Sequence, residues 1–352
     1  MERWEQMIAG LPLPAANQKV YIWGAGNTSV LNHQGMLREK LYEELRLTAF
    51  LDRNNAGTVL NGFPVLSPEI LEQQNPEDVY VLISTANSWV YFEIARLCRE
   101  KKIQSCFLDA VLLKLRKEQF LKTAELLDED SKKLYHKLIE YRISFHEDYS
   151  DVYAGDSYFG IPAFCKSDHR DVIVDCGAYV GDSAERYLWR MEQFKKYIAI
   201  EPDEANFRAM TKRFQRLNEE WNLPCGKLVA VLGGTDAYSH RIRMETRVGG
   251  LGSIARDDAG ADAEEIKFWA IDELMPEGFT FLKADIESYE YRMLQGARNS
   301  ITKYHPRMAI CIYHNMLDMF GIAQLIHEID PAYRLSVRHH SYGFEETVLY
   351  AY

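Results

Sequence analysis

The sequence predicts an α/β protein with two doubly wound, Rossmann-like sheets joined by a helical connector. Three observations carry that prediction. Short apolar runs of strand length alternate with stretches of helical periodicity in two separate parts of the chain. One run in each part, "KVYIWGAG" and "VIVDCGAYVG", ends in a glycine turn that leads into a helix. Between the two parts, residues 112–149 are rich in Leu, Lys and Glu and contain neither Gly nor Pro.

Each element follows in order. In residues 1–111, "KVYIWGAG" is a strand and turn, and "TSVLNHQGMLREKLYEE" a helix. "LTAFLDRN", "DVYVLISTA" and "IQSCFLDA" add strands, with "SWVYFEIARLCREKK" helical between the last two. Residues 112–150 form the connector, where "FLKTAELLDEDSKKLYHKLIEYR" has helical periodicity and a break at "DED". Residues 151–352 hold the second domain. Its strands are "DVIVDCG", "KYIAIEPD", "KLVAVLGG", "FTFLKADI", "RMAICIYHN", "YRLSVRHHS" and "ETVLYAY". The last two, joined by "YGFE", read as a terminal hairpin with an antiparallel final strand. Five parallel strands closed by such a hairpin is the order of a class I methyltransferase sheet.

Composition sets the outer bounds. The chain has 352 residues, 47% apolar and 26% charged, enough for two domains with full cores. Lys plus Arg number 41 against 52 Asp plus Glu, a net charge of −11, and that average field repels a phosphate backbone. Nucleic acid is therefore not an expected partner. The six cysteines show no CxxC pair, which argues against a disulfide framework or structural zinc. The N-terminal residues lack the basic lead of a signal peptide, and no apolar run reaches membrane-spanning length. The expectation is a cytoplasmic protein without membrane insertion, with homo-oligomerisation left open.

Doubly wound sheets bind ligands at the carboxyl ends of their strands. In the second domain those ends carry Asp175, Glu201, Asp285, His314 and the pair His339–His340. The turn D-C-G-A-Y-V-G supplies Gly177 and Gly181 but not the three glycines of a dinucleotide fingerprint. An acid in that turn, Asp175, repels a pyrophosphate and suits the cationic amino acid part of S-adenosylmethionine. Glu201, one βαβ unit later, is placed to accept both ribose hydroxyls. Together they favour S-adenosylmethionine over NAD.

"VIVDCGAYVGDSAERY", "YIAIEPDEANFRAM" and "FLKADIESYEYRMLQGARNSITKYHPRMAICIYHN" resemble, in order, the FkbM-type methyltransferase family over about Tyr158 to Tyr352. The upstream "DSYFG" resembles the segment that opens that family's domain. The resemblance implies an S-adenosylmethionine-dependent enzyme that methylates a hydroxyl, on a sugar or another natural product. It implies that Asp175, Gly177, Gly181 and Glu201 hold the cofactor and that Asp285 faces the transferred methyl. Tyr158, Ala178, Asp182, Ser183, Pro202 and Asp236 complete the expected cofactor set. The family usually has Gly directly after its D-x-E; Ser288 stands there in this chain.

A sugar hydroxyl is a weak nucleophile, so a general base is expected. Asp285 and His314, at adjacent strand ends, are the first candidates, with His340 beside them. A divalent metal held by Asp285, Glu287, His314 and His339 is the less favoured alternative, since no pair among them has a diagnostic spacing. Glu290 is read as a helix-start acid. In the N-terminal domain, Gly24, Gly26 and Asp52 form a weak nucleotide fingerprint. That unit resembles the small Rossmann-like domains found beside sugar-modifying enzymes, and equal weight goes to a purely supporting domain. Whether the glycine turn opens on a pocket or is plugged by side chains decides between them. The competing functions are an NAD-dependent nucleotide-sugar oxidoreductase using that turn, and a non-catalytic nucleotide-binding module. The glycine-rich run "TRVGGLGSIARDDAGADAEE" is expected to act as a lid or substrate loop.

Overall fold

A computed structural model describes residues 2–191, 193–245, 254–255 and 264–352. The chain divides into two units. The first comprises Met1–Val152, Tyr313–Gly321 and Ser341–Glu345, and the second Tyr153–Ile312, Ile322–His340 and Glu346–Tyr352.

In the first unit the apolar runs become β1 (Lys19–Trp23), β2 (Leu47–Leu51), β3 (Val59–Leu60), β4 (Phe63–Leu66), β5 (Val79–Ile83) and β6 (Gln104–Phe107). They form one sheet in the order β3-β4-β2-β1-β5-β6. All adjacent pairs are parallel except β3 with β4. Every residue of β5 is buried, as expected of a central parallel strand covered on both faces. The unit's helices are α1 (Arg3–Ala9), α2 (Asn27–Arg38), α3 (Leu41–Glu44), α4 (Ser88–Glu100), α5 (Leu108–Leu115), α6 (Lys117–Ala124) and α7 (Glu129–Ser144). The expected connector therefore groups with this unit. Its break at "DED" is the start of α7, where the Asp128 carboxylate accepts from Ser131 N at 2.8 Å. Tyr21, Ala49, Leu51, Val81, Ile83 and Ile94 pack into one core under α4. Each large apolar side chain so buried contributes about 1.5–3 kcal/mol.

The second unit is built on β7 (Val172–Cys176), β8 (Lys196–Glu201), β9 (Leu228–Leu232), β14 (Phe281–Ala284), β15 (Arg307–Cys311), β16 (Leu335–His339) and β17 (Thr347–Ala351). Their order is β16-β17-β15-β14-β7-β8-β9. The five strands from β15 to β9 are parallel, and β17 runs antiparallel to both β15 and β16. The seven expected strands and the terminal hairpin are all present. A second, four-stranded sheet was not anticipated. It joins β10 (Gly234–Thr235), β11 (His240–Glu245), β12 (Ile254–Ala255) and β13 (Glu264–Trp269). Residues 246–265, the expected lid, lie for the most part outside the described residues. Helices α8 (Asp182–Arg190), α9 (Glu204–Glu220), α10 (Ile271–Leu274), α11 (Glu290–Gln295) and α12 (Arg298–Tyr304) alternate with these strands, and α13 (Asp318–Ile329) follows β15. Among the described residues no helix is long and apolar enough to cross a membrane.

Candidate active site

The turn after β7 is held from below by a buried ion pair. Asp175 has no exposed surface; its carboxylate meets Lys283 Nζ at 2.8 Å and accepts from the Tyr197 hydroxyl at 2.7 Å. Lys283 also donates to Gly177 O at 2.8 Å and lies 5.2 Å from the centre of the Tyr158 ring. Burial works against its charge, but the adjoining Asp175 carboxylate outweighs burial and holds Lys283 protonated. Asp175 was expected to meet the cofactor. The Lys283 ion pair and the Tyr197 hydrogen bond give it a task in holding the turn, which weighs against a direct ligand contact.

Gly177 has φ +75°, and a Cβ there would lie 1.8 Å from Asp285 O. Asp285 N in turn donates to Cys176 O at 3.0 Å. The turn after β7 and the chain leaving β14 are thus in direct backbone contact, which only glycine permits. Gly177→Ala is expected to lower the urea midpoint and abolish ligand binding together, since the clash and the left-handed φ act on the same turn.

Glu201 ends β8 and is 5% exposed. Its Oε2 accepts from Tyr179 N at 2.9 Å and its Oε1 from Asp203 N at 3.0 Å. Burial pushes its pKa up to about 7, against the pull of those two amides. The Asn206 side chain is a third partner, and since a carboxylate accepts about four hydrogen bonds, capacity for a ligand hydroxyl remains. Ala178, buried, donates to Ile200 O at 3.1 Å, and Pro202 follows Glu201 directly. Gly181 is the residue before α8, and Asp182 and Ser183 form its first turn. These residues lie at and just beyond the carboxyl ends of β7 and β8. One buried carboxylate with unused lone pairs beside a glycine turn is the kind of acceptor that ribose hydroxyls donate to, so the residues fit S-adenosylmethionine. Asp236 is committed elsewhere: Arg292 donates to it from Nε at 2.5 Å and Nη2 at 2.8 Å.

On the β14 side Asp285 is half-buried, and its Oδ2 accepts from the Tyr158 hydroxyl at 3.2 Å. Tyr158 stands at φ +66°, and its backbone N donates to the Tyr350 hydroxyl at 2.9 Å. His340 completes this chain of bonds. Its Nδ1 lies 2.6 Å from the Ala154 carbonyl, which only accepts, so Nδ1 carries the proton. Its Nε2, 2.8 Å from Tyr350 Oη, then accepts from that hydroxyl. Burial lowers the pKa of His340 and favours this neutral tautomer. With both nitrogens engaged, His340 anchors the Tyr158 segment and is not placed as a catalytic base.

Of the metal set expected from Asp285, Glu287, His314 and His339, His339 stands apart. His339 lies on β16, three strands from β14, or roughly 14 Å at the usual strand spacing. It is fully buried, with Nδ1 2.8 Å from Thr347 Oγ1. Glu287 and Ser288 occupy the turn before α11 at φ +55° and +73°. The left-handed φ at Ser288 explains why the related family favours glycine there. Glu290 opens α11 fully buried and accepts from Ile286 N at 2.8 Å, with carboxylate oxygens of Asp285 and Glu290 within 4.8 Å of one another. His314 is buried three residues beyond the end of β15.

In the first unit the glycine turn is packed by the protein itself at Gly24, whereas a Cβ at Gly26 would meet nothing within 4 Å. A Cβ at Gly24, φ +121°, would lie 2.2 Å from Ser84 O, and Ser29 Oγ donates to Gly24 O at 2.5 Å. Asp52 accepts from the backbone amides of Ala25, Asn54 and Asn55 at 2.9–3.1 Å. Gly26 precedes α2. Asp52 thus secures its own loop and the glycine turn, which weighs against a ribose contact.

Sequence reasoning missed Lys283, Tyr197, Tyr350 and Arg292. Lys283 left a signal: a lysine inside the apolar strand "FLKAD" is costly to bury without a partner.

Residues 175–345 match the family model of the methyltransferase FkbM domain. The crystal structure of an FkbM methyltransferase from Methylobacillus flagellatus KT aligns over 99% of this chain and 97% of its own, with a TM-score of 0.60 and 19% identity. That likeness shows the fold alone. An rRNA methylase from Streptococcus thermophilus aligns over 52% of this chain and 86% of its own, with a TM-score of 0.32 and 13% identity. Fibrillarin from Aeropyrum pernix, solved with S-adenosyl-L-methionine, covers 52% of this chain and 66% of its own at a TM-score of 0.31 and 11% identity. No curated protein matches. The matched span runs from the end of β7 past β16, so the C-terminal part of this chain is similar to a methyltransferase FkbM domain.

Proposed function

We propose that the second unit moves a methyl group from S-adenosylmethionine to a hydroxyl of a small molecule, a sugar or glycoconjugate precursor. The observation that carries this reading is Glu201, a buried carboxylate with spare acceptor capacity at the end of β8 beside the Gly177 turn. When bound, S-adenosylmethionine supplies an electrophilic methyl group on a sulfonium that leaves readily. Glu201 accepts from a ribose hydroxyl, and the Gly177 turn lets the backbone approach the ligand. Alignment of this kind contributes up to about 7–11 kcal/mol of barrier lowering.

Asp285 takes the proton of the substrate hydroxyl, with the Tyr158 hydroxyl on its Oδ2 fixing the carboxylate's orientation. His314, just past the neighbouring strand, is the second candidate base. Asp285→Asn and His314→Gln are each expected to reduce the single-turnover rate of methyl transfer at saturating donor by about 10²–10⁴-fold if that residue is the base. Rates unchanged in both would sink the base assignment. The methyl-donor reading itself is tested by calorimetry with S-adenosylhomocysteine and, separately, NAD. Binding of NAD alone would turn attention to the sugar oxidoreductase reading built on Gly24, Gly26 and Asp52.

A further inference from the structure

The first unit holds a cavity of about 220 Å³. Thr28 at the start of α2, Thr85 just past β5 and Phe107 at the end of β6 all line it. It therefore opens at the carboxyl ends of the parallel strands. The strand order reverses between β1 and β5, because the chain leaves β1 toward β2 and returns on its other side as β5. That reversal is where doubly wound sheets take ligands. The volume lies below the ~300–1,000 Å³ of drug-sized sites and suits a single ring.

The wall has two kinds of surface. Phe107 and Phe145 form an aromatic platform with ring centres 4.4 Å apart, and Tyr141 stacks near His146 at 3.9 Å. Beside them Arg142 donates from Nε to Asp109 Oδ2 and from Nη1 to Tyr313 O, both at 2.6 Å. Arg142 still has the donors on Nη2 to offer. Thr28 and Thr85 add hydroxyls; Thr85 Oγ1 already accepts from Asn87 N at 3.1 Å and keeps its proton to donate.

Charge selects among ligands. Asp109 and Glu147 face one fixed cation, Arg142, and Asp109 already neutralises it. A phosphate would meet no uncompensated positive charge, and the Glu147 carboxylate, which Arg142 does not balance, accepts from the Ser88 hydroxyl at 2.8 Å. The aromatic platform and the ring of hydroxyls around it suit a molecule with one apolar face and a rim of hydroxyls. We propose that this cavity binds a neutral sugar ring, its C–H face against the aromatic platform and its hydroxyls on Arg142, Asp109 and the two threonines. The site stands in the first unit and does not rest on the methyl-transfer reading.

The test is calorimetry and saturation-transfer NMR on the full chain. The probes are neutral hexoses, pentoses and deoxyhexoses, with UDP, inorganic phosphate and choline in parallel. Phe344, 41% exposed on the cavity rim, gives a first variant with little risk to folding, Phe344→Ala. Thr85→Val gives a second. The expected result is binding of at least one neutral sugar, weakened about fivefold by either variant, with S-adenosylhomocysteine affinity unchanged. Binding of none of the sugars, preference for phosphate, UDP or choline, or sugar affinity indifferent to both variants would overturn the proposal.

Discussion

Glu201→Ala is expected to weaken S-adenosylhomocysteine binding by about 10²-fold, because it removes hydrogen bonds to a charged acceptor worth roughly 1.5–3 kcal/mol each. The same residue predicts two opposite pH trends. Its pKa rises from an ordinary 4.5 to about 7 in the folded chain, so folding favours the protonated form. The stability it contributes is fully present below about 4.5 and is lost as pH rises through about 7. Ribose hydroxyls, in contrast, donate to the ionised carboxylate. Affinity should therefore rise from pH 6 to pH 8, approaching about tenfold per unit below the pKa and levelling above it. Calorimetry and urea unfolding at pH 5, 6, 7 and 8 check both trends. Glu201→Gln should flatten each of them. Affinity that is insensitive to pH in the unmodified protein would mean that Glu201 does not meet the ligand.

Lys283→Met should destabilise the second unit by about 3–5 kcal/mol, because Asp175 is left as a buried carboxylate without its cation. The expected observation is a marked fall in the urea midpoint. Replacing both partners, Asp175→Leu with Lys283→Met, should recover a large part of that loss, since two apolar side chains leave no buried charge. Recovery will be incomplete, because the Tyr197 hydroxyl loses its acceptor. If the single variant unfolds like the unmodified protein, the pair does not hold the turn.

The strands were legible in the sequence because each is a near-continuous apolar run, and burial of both sheet faces demands that. The terminal hairpin could be read from "YGFE" between two β-rich segments. Site residues were legible as strand-end acids and histidines, but their partners were not. A strand-end acid looks alike whether it awaits a ligand, as Glu201 fits, or already holds a lysine, as Asp175 does. Partners such as Lys283 and Arg292 arrive from 56 to 108 residues away, at separations where periodicity carries no information. His340 misled for a related reason. Its strand-end position suggested chemistry, whereas the deciding facts are a carbonyl and a hydroxyl on its two nitrogens. The small sheet β10–β13 escaped because its strands are short or polar on one side.

The placement of β17 bears on how this chain is made. Thr347–Ala351 is translated after every other strand of the seven-stranded sheet, yet it lies between β15 and β16 with all five residues buried. Until it emerges from the ribosome, β15 and β16 cannot pair through it, and each presents an open hydrogen-bonding edge to neighbouring nascent chains. Completion of that side of the sheet therefore waits for its last strand, and a chain stalled or terminated before Thr347 leaves a gap that another copy's strand could fill.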